Sequence, residues 1–400
     1  MSQDTSERAT SAGITKQARD EFLRVAKAAG IGPKETVLFT MDGGEVAQVA
    51  AWTEDMRNLL IYSPPPAYTY QKQVPAECTH WQALRQAIDA AKPNWGTCKV
   101  QSDPHPPLDP PTRVWEADLP EDFAFGLMFT APGINTELDR PILIGTHVAP
   151  TEEGAIGIQT TDTVALCTYT TKPTPDTAAS MPKGGMIIPP HVCQAVIAAE
   201  ADRAMPLRLK KGRVPIPFGE PVTMWGIAIG DEWEIWFRPI EGQFPNTQRV
   251  LFAAEEGSAF FYGPRKHIAQ LCQCIAQVKR GKDRLPCLRL SPQRIVGGWG
   301  LEDQHDGPFW STENPLEFCG GPDTGQWWLD PARLLTLLEV PEHWAMRKGW
   351  KDSAGDVVSI AITSVSGSSY VFNVSFCGLP QARRLLCPRV EITMPDGMTG

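Results

Sequence analysis

Short strand-like runs and helix-like segments recur in the same order three times along this chain of 400 residues. In a strand alternate side chains face opposite ways, whereas a helix gathers residues three and four apart on one face, so the two can be told apart by period. Each block reads strand, helix, strands, helix, strands. That order predicts α+β domains whose helices share one face of antiparallel sheets.

In the first block Ile14, Ala18, Val25 and Ala29 repeat at helical spacing, as do Trp81, Leu84, Ile88 and Ala91 before Pro93. ETVLFT, VAQVAAW and NLLIYS are its strand-like runs, and the Pro-rich SDPHPPLDPPTR reads as a linker. The second block opens with RVWEADLP and a helix-like FAFGLMFTA. ILIGTHVA, AIGIQTTD and TVALCTYT follow as strands, then a helix placed to start at Pro190, then PVTMWGIAIG and EWEIWFRPIEG. In the third, SAFFYG precedes a helix with Ile268, Leu271, Ile275 and Val278. Strands PCLRLS and QRIVGGWG lead to a second helix with Asp330 as cap and Pro331 as first residue, and VVSIAITS, SSYVFNVSF and RVEITMP close the chain. The division expected is a disordered lead over 1–13 and domains over 14–115, 116–252 and 253–400.

Hydrophobic residues at 42% and charged residues at 21% describe a soluble globular protein. No apolar run reaches the roughly 18 residues of a membrane span, and the polar N-terminus lacks the apolar core of a signal peptide. Ten cysteines without a CxxC pair suit a reducing cytoplasm. Cys272 and Cys274 look like a metal pair, but on a helix they point about 200° apart, so buried free thiols are expected and no metal site. Neither a GxxxxGK[ST] loop, a GxGxxG turn nor an HExxH helix is present, and His147, His191 and His267 lack partners at motif spacing. The expectation is a protein that is no enzyme and carries no cofactor. A net charge of −9 argues against indiscriminate coating of nucleic acid, but not against basic residues gathered on one inner surface.

The most specific stretch is RPIEGQFPNTQRVL, Arg238 to Leu251. It resembles the end of the middle domain of bacterial DNA polymerase III β subunits, the sliding clamps, where an Arg-x-Ile-Glu-Gly strand runs into Phe-Pro-(Asp/Asn)-Tyr-x-Arg-Val. Arg238, Ile240, Glu241, Gly242, Phe244, Pro245, Asn246, Arg249 and Val250 match, and Thr247 replaces the Tyr. RPILIGTHV, IQTTDTVAL with Thr161, Asp162 and Leu166, MIIPPHVCQAVI and the C-terminal ITMPDG resemble further family segments in order.

The resemblance implies three clamp-type domains, each with two helices on antiparallel sheets, in a head-to-tail homodimeric ring. It implies a ring that encircles duplex DNA without base preference and tethers the replicative polymerase and other partners for processive synthesis. A separate ATP-driven clamp loader would open it. DNA-facing candidates are Arg24, Lys27, Arg85, Lys92, Arg265, Lys266, Lys279 and Arg280, whose charges would meet phosphates loosely; solvated helix faces are the bland reading of the same residues. The middle block departs here, its first helix having no Lys or Arg and its second only Arg203.

A family pocket that accepts a short linear peptide motif from polymerase and loader would map to Leu143, Thr161, Leu166, Pro245, Val250, Ile392, Met394 and Pro395. The same residues also read as core at strand ends. The family's Gly-His-Arg is replaced by Thr163, Val164 and Ala165, which removes a cationic side and adds β-branched bulk. An alternative function is a clamp-fold interaction protein, or decoy, that binds clamp partners without encircling DNA.

Overall fold

The computed structural model describes residues 11–72, 111–251, 259–276, 286–299, 310–340 and 356–386, short interior segments excepted. The helix expected around Trp81 to Ala91, most of the Pro-rich linker and the closing RVEITMP strand lie outside the described residues. Two compact units divide the chain: Met1–Ala124 with Ala149–Ala155 and Lys172–Glu241, and Phe125–Val148 with Ile156–Thr171 and Gly242–Gly400.

The first unit is built on a seven-stranded sheet. Its strands are β2 (Val37–Asp42), β3 (Glu45–Trp52), β4 (Asn58–Tyr62), β6 (Thr112–Asp118), β11 (Leu207–Val214), β12 (Val222–Ile229) and β13 (Trp233–Phe237), in the order β2-β3-β4-β13-β12-β11-β6. A separate pair joins β1 (Ser11–Ile14) to β5 (Thr69–Lys72), so order begins inside the lead expected to be disordered. Helix α1 (Lys16–Ala28) buries Phe22, Val25 and Ala26; of the residues whose spacing predicted a helix, Val25 and Ala29 are buried, whereas Ile14 belongs to β1. Phe22 stacks on Trp233 at 6.2 Å, and Trp233 on Tyr62 at 4.1 Å. Burying each such ring is worth about 1.5–3 kcal/mol, which makes this stack a main anchor of helix to sheet.

Two short elements complete that unit before its second long helix: α3 (Pro175–Ser180) and strand β10 (Met186–Ile188). The helix α4 (Pro190–Glu200) starts at Pro190 as expected, because the fixed φ of proline suits a first helical position. It packs against α1 and on β12 and β13.

In the second unit the strands are β7 (Thr146–Pro150), β8 (Ile156–Thr161), β9 (Ala165–Thr170), β14 (Ala259–Pro264), β18 (Glu317–Gly320), β20 (Val357–Ser366), β21 (Ser369–Phe376) and β22 (Leu379–Leu386). They lie in the order β7-β8-β9-β22-β21-β20-β14-β18. A four-stranded sheet, β17-β16-β15-β19, combines β15 (Pro286–Leu290), β16 (Arg294–Trp299), β17 (Trp310–Glu313) and β19 (Trp327–Leu329). The helices are α2 (Phe123–Thr130), α5 (Arg265–Ala276) and α6 (Pro331–Leu338). Asp330 caps α6, accepting from the backbone N–H of Ala332 at 2.8 Å and of Arg333 at 3.4 Å. On α5 Cys272 is buried but Cys274 is exposed, so of the two thiols expected to be buried only the first is, the two facing opposite ways on the helix.

Helix α2 is apolar all round and correspondingly buried, which accounts for its lack of Lys and Arg. Phe125 meets Tyr169 edge-on at 5.4 Å, and Phe129 meets Phe376 at 5.3 Å.

Both sheets draw strands from different sequence blocks. Strand β4 pairs with β13, Leu60 opposite Ile235, and β9 pairs with β22, Leu166 opposite Leu385. Strand β22, which the sequence reading did not include, carries Arg384 into the core at 0% exposure. Its guanidinium lies 4.0 Å from the Phe129 ring and donates to the carbonyls of Phe129 at 2.6 Å and Leu337 at 2.7 Å, with Thr336 and Glu339 as further acceptors. One buried cation thus satisfies the last carbonyls of two helices, α2 and α6.

Candidate functional site

The Phe-Pro segment is held in place by its neighbours within the second unit. Gly242 has φ +134, and a Cβ there would stand 2.4 Å from Ile142 Cγ2, so the glycine of the Ile-Glu-Gly signature is required by conformation and space. Phe244 is buried and stacks on His147 at 4.7 Å. Pro245 is exposed. Thr247, in place of the family's Tyr, is buried and its hydroxyl donates to Gln159 Oε1 at 3.0 Å. A helical turn follows, with the N–H groups of Val250 and Leu251 both 3.0 Å from the Thr247 carbonyl.

That turn lays Val250 and Leu251, both half-buried, on a cluster of Leu166, Val371 and Leu385. Thr161 stands opposite Leu166 in the β8–β9 register. Of the expected pocket residues, Thr161, Leu166 and Val250 therefore come together, around side chains from β21 and β22 that were not anticipated. Leu143 is buried in a 3-10 turn, Pro141–Leu143. Ile392, Met394 and Pro395 lie outside the described residues.

The β8–β9 connection is shaped by Asp162, whose Oδ1 accepts from the N–H of Val164 at 2.9 Å and of Ala165 at 2.7 Å. This turn forces Thr163 to φ 79, where it is the one non-glycine with positive φ among the described residues. A β-branched side chain in that region is strained by about 1–2 kcal/mol. Thr163 is exposed and occupies the place of the family's Gly. Thr163→Gly is therefore expected to stabilise the protein by up to about 1 kcal/mol, the relief of strain being partly offset by the added freedom of the unfolded chain. A raised urea midpoint at unchanged slope would show it; a lowered midpoint would mean that the turn is not left-handed.

The second oxygen of Asp162, Oδ2, accepts from Arg333 Nη1 on α6. Sequence reading missed this contact because the two residues are 171 positions apart.

The DNA-facing candidates fare unevenly. Lys27 is exposed on α1 and Arg24 half-buried. Lys266 is exposed, 3.8 Å from Asp356. Arg265 requires correction: its side chain is buried, donates to the Leu338 carbonyl at 3.1 Å and lies 3.8 Å from Asp356, so its guanidinium serves the end of α6 and not a phosphate. Arg85, Lys92, Lys279 and Arg280 lie outside the described residues. No cluster of metal-ligating side chains, and no helix long and apolar enough to cross a membrane, occurs among the described residues.

Neither a family model nor a curated protein matches the sequence. Solved structures do match over almost their whole length. The DNA polymerase sliding clamp from Bacillus subtilis is 14% identical at TM-score 0.67, covering 95% of this chain and 99% of that one. The β subunit from DNA polymerase of Streptococcus pyogenes is 12% identical at TM-score 0.69, with the same coverage. The DNA polymerase III β subunit from Thermotoga maritima is 9% identical at TM-score 0.66. The chain has the fold of these proteins.

Proposed function

We propose that this protein is a sliding clamp, a ring that encircles duplex DNA and tethers the replicative polymerase and other partners in the cytoplasm. The observation that carries the reading is the likeness of fold to DNA polymerase sliding clamps over 95% of this chain and 99% of the Bacillus subtilis one. A fold supports many functions, so the argument leans also on the site. Thr161, Leu166 and Val250, the last just after the Phe-Pro segment, come together in the second unit, which supports a peptide site for polymerase and clamp loader.

In this reading the chain has three clamp domains, 14–115, 116–252 and 253–400, with sheets running through their junctions. Two chains join head to tail, which covers the sheet edges that an open arc would expose. Its work is topological, not catalytic: a closed ring cannot leave DNA sideways. Lys27, Arg24 and Lys266, with Arg85, Lys92, Lys279 and Arg280, meet phosphates loosely enough to permit sliding. Helix α2, buried and uncharged, contributes no such contact.

Two measurements test the reading together. Sedimentation at micromolar concentration is expected to give a species near twice 44.0 kDa. After loading with a clamp loader and ATP, the protein is expected to stay on a nicked circle through a high-salt wash and to run off once the circle is cut. A strictly monomeric protein that binds clamp-partner peptides yet never stays on circles would favour the decoy instead.

A further inference from the structure

The β8–β9 turn has no cation of its own, since Thr163, Val164 and Ala165 stand where clamps carry Gly-His-Arg. A cation reaches the same place from another element. Arg333, in the first turn of α6, donates through Nη1 to Asp162 Oδ2. The two partners differ in exposure: the Asp162 side chain is 9% exposed and that of Arg333 47%. Asp162 is fully engaged, one oxygen by Arg333 and the other by two backbone N–H groups. Arg333 is tethered by one nitrogen, and its other side-chain N–H groups have no protein acceptor among the described residues. Asp162, which holds Arg333, directly follows Thr161, and Thr161 stands opposite Leu166 of the apolar cluster.

We propose that Arg333 is a specificity residue of this surface, selecting peptides that carry a carboxylate beside their apolar anchors. The inference rests on the peptide-binding reading above. A guanidinium held at one end presents the rest of its planar fork at little further loss of freedom, and that fork matches a carboxylate with two parallel hydrogen bonds. Val250 and Leu251 supply apolar contact and Arg333 the charge, so neighbouring parts of one peptide are recognised by different means. The cation comes from α6, which changes the direction from which a partner's acidic group must approach.

Two acetylated peptides serve as probes, one with a single Asp among Leu and Phe residues and its twin with Asn. Titration by fluorescence polarisation is expected to show the Asp peptide bound about ten-fold tighter by the wild type, since charge-assisted hydrogen bonds are worth more than neutral ones. In Arg333→Gln the two peptides are expected to bind equally, with affinity for the Asn twin unchanged, which also shows that the fold is intact. Arg333→Lys is expected to keep part of the preference and to lose it faster with salt, having charge without the fork. A ten-fold preference that survives in Arg333→Gln overturns the assignment of Arg333 while leaving the peptide surface standing. Failure of either peptide to bind the wild type, or indifference of both to Val250→Ala, removes the peptide surface itself and the inference with it.

Discussion

Replacing Arg384 by leucine is expected to lower stability by about 2–5 kcal/mol, because two buried carbonyls lose their donor at once. Those of Phe129 and Leu337 are both buried, and each costs about 1–3 kcal/mol when left unsatisfied. The Thr336 and Glu339 carbonyls are only partly buried, so water replaces the guanidinium there at small cost. The contact with the Phe129 ring at 4.0 Å adds to the loss. Against this stands the cost of burying the cation, which lowers its pKa to about 10; the nearby Cys167 and Glu339 partly counter the fall. The sign follows from linkage: from about 10 up to the ordinary guanidinium range the unfolded chain holds the extra proton, so stability contributed by this group rises with pH there and is flat at neutral pH. The mutational loss should thus be the same across the neutral range. Arg384→Lys should also fall well short of wild type, since one ammonium cannot reach the ends of both α2 and α6. Urea unfolding followed by circular dichroism measures both variants, and a loss below about 0.5 kcal/mol would contradict the double cap.

Gly126→Ala is expected to destabilise by about 1–3 kcal/mol, opposite in sign to what helix propensity alone would give. In an exposed helix the change gains about 1 kcal/mol. At this position in α2 a Cβ would stand 2.5 Å from Ile158 Cδ1 and 2.7 Å from Tyr169 Cδ1. The isoleucine tip can turn away. Tyr169 cannot, because its ring is set against Phe125 and Phe129 and its hydroxyl accepts from Gln381 Nε2 at 3.1 Å. Gly184→Ala, with nothing within 4 Å of the added carbon, is the control and should move the urea midpoint little. A stabilised Gly126→Ala would show that the helix can lift from the sheet.

What could be read from sequence was whatever is decided locally. The period of α1, the caps at Pro190 and Asp330, and the opposite facing of Cys272 and Cys274 depend on residues a few positions apart. So does the glycine of Ile-Glu-Gly, which marked the Phe-Pro segment. Strand β22, LPQARRLL, escaped because two arginines interrupt its alternation, and the burial of Arg384 depends on carbonyls from two distant helices. Strand β11, LRLKKGRV, was hidden in the same way: Lys210 is buried there only because Glu234 on β13 pairs with it. Arg265 looked like a surface cation for an equivalent reason, its acceptors lying on α6 and beside β20. Within the site, Leu166 and Val250 were legible from the motif, but Arg333 was not, since no local pattern connects it to Asp162.

The pairing of β9 with β22 has a consequence for how the chain is made. Thr168 and Arg383, neighbours in that ladder, are 215 residues apart. At ribosomal rates of about 5–20 residues per second, β9 leaves the exit tunnel roughly 10–40 s before its partner exists. Through that interval the nascent chain carries an open strand edge next to apolar Leu166, a template for adventitious pairing with other chains. Local helices can form at once, but closure of this sheet must await the synthesis of β22, so folding is slow and of high contact order. Production of this protein should therefore depend on chaperone capacity more steeply than its finished stability would suggest, and fragments ending before β22 should be recovered as aggregate.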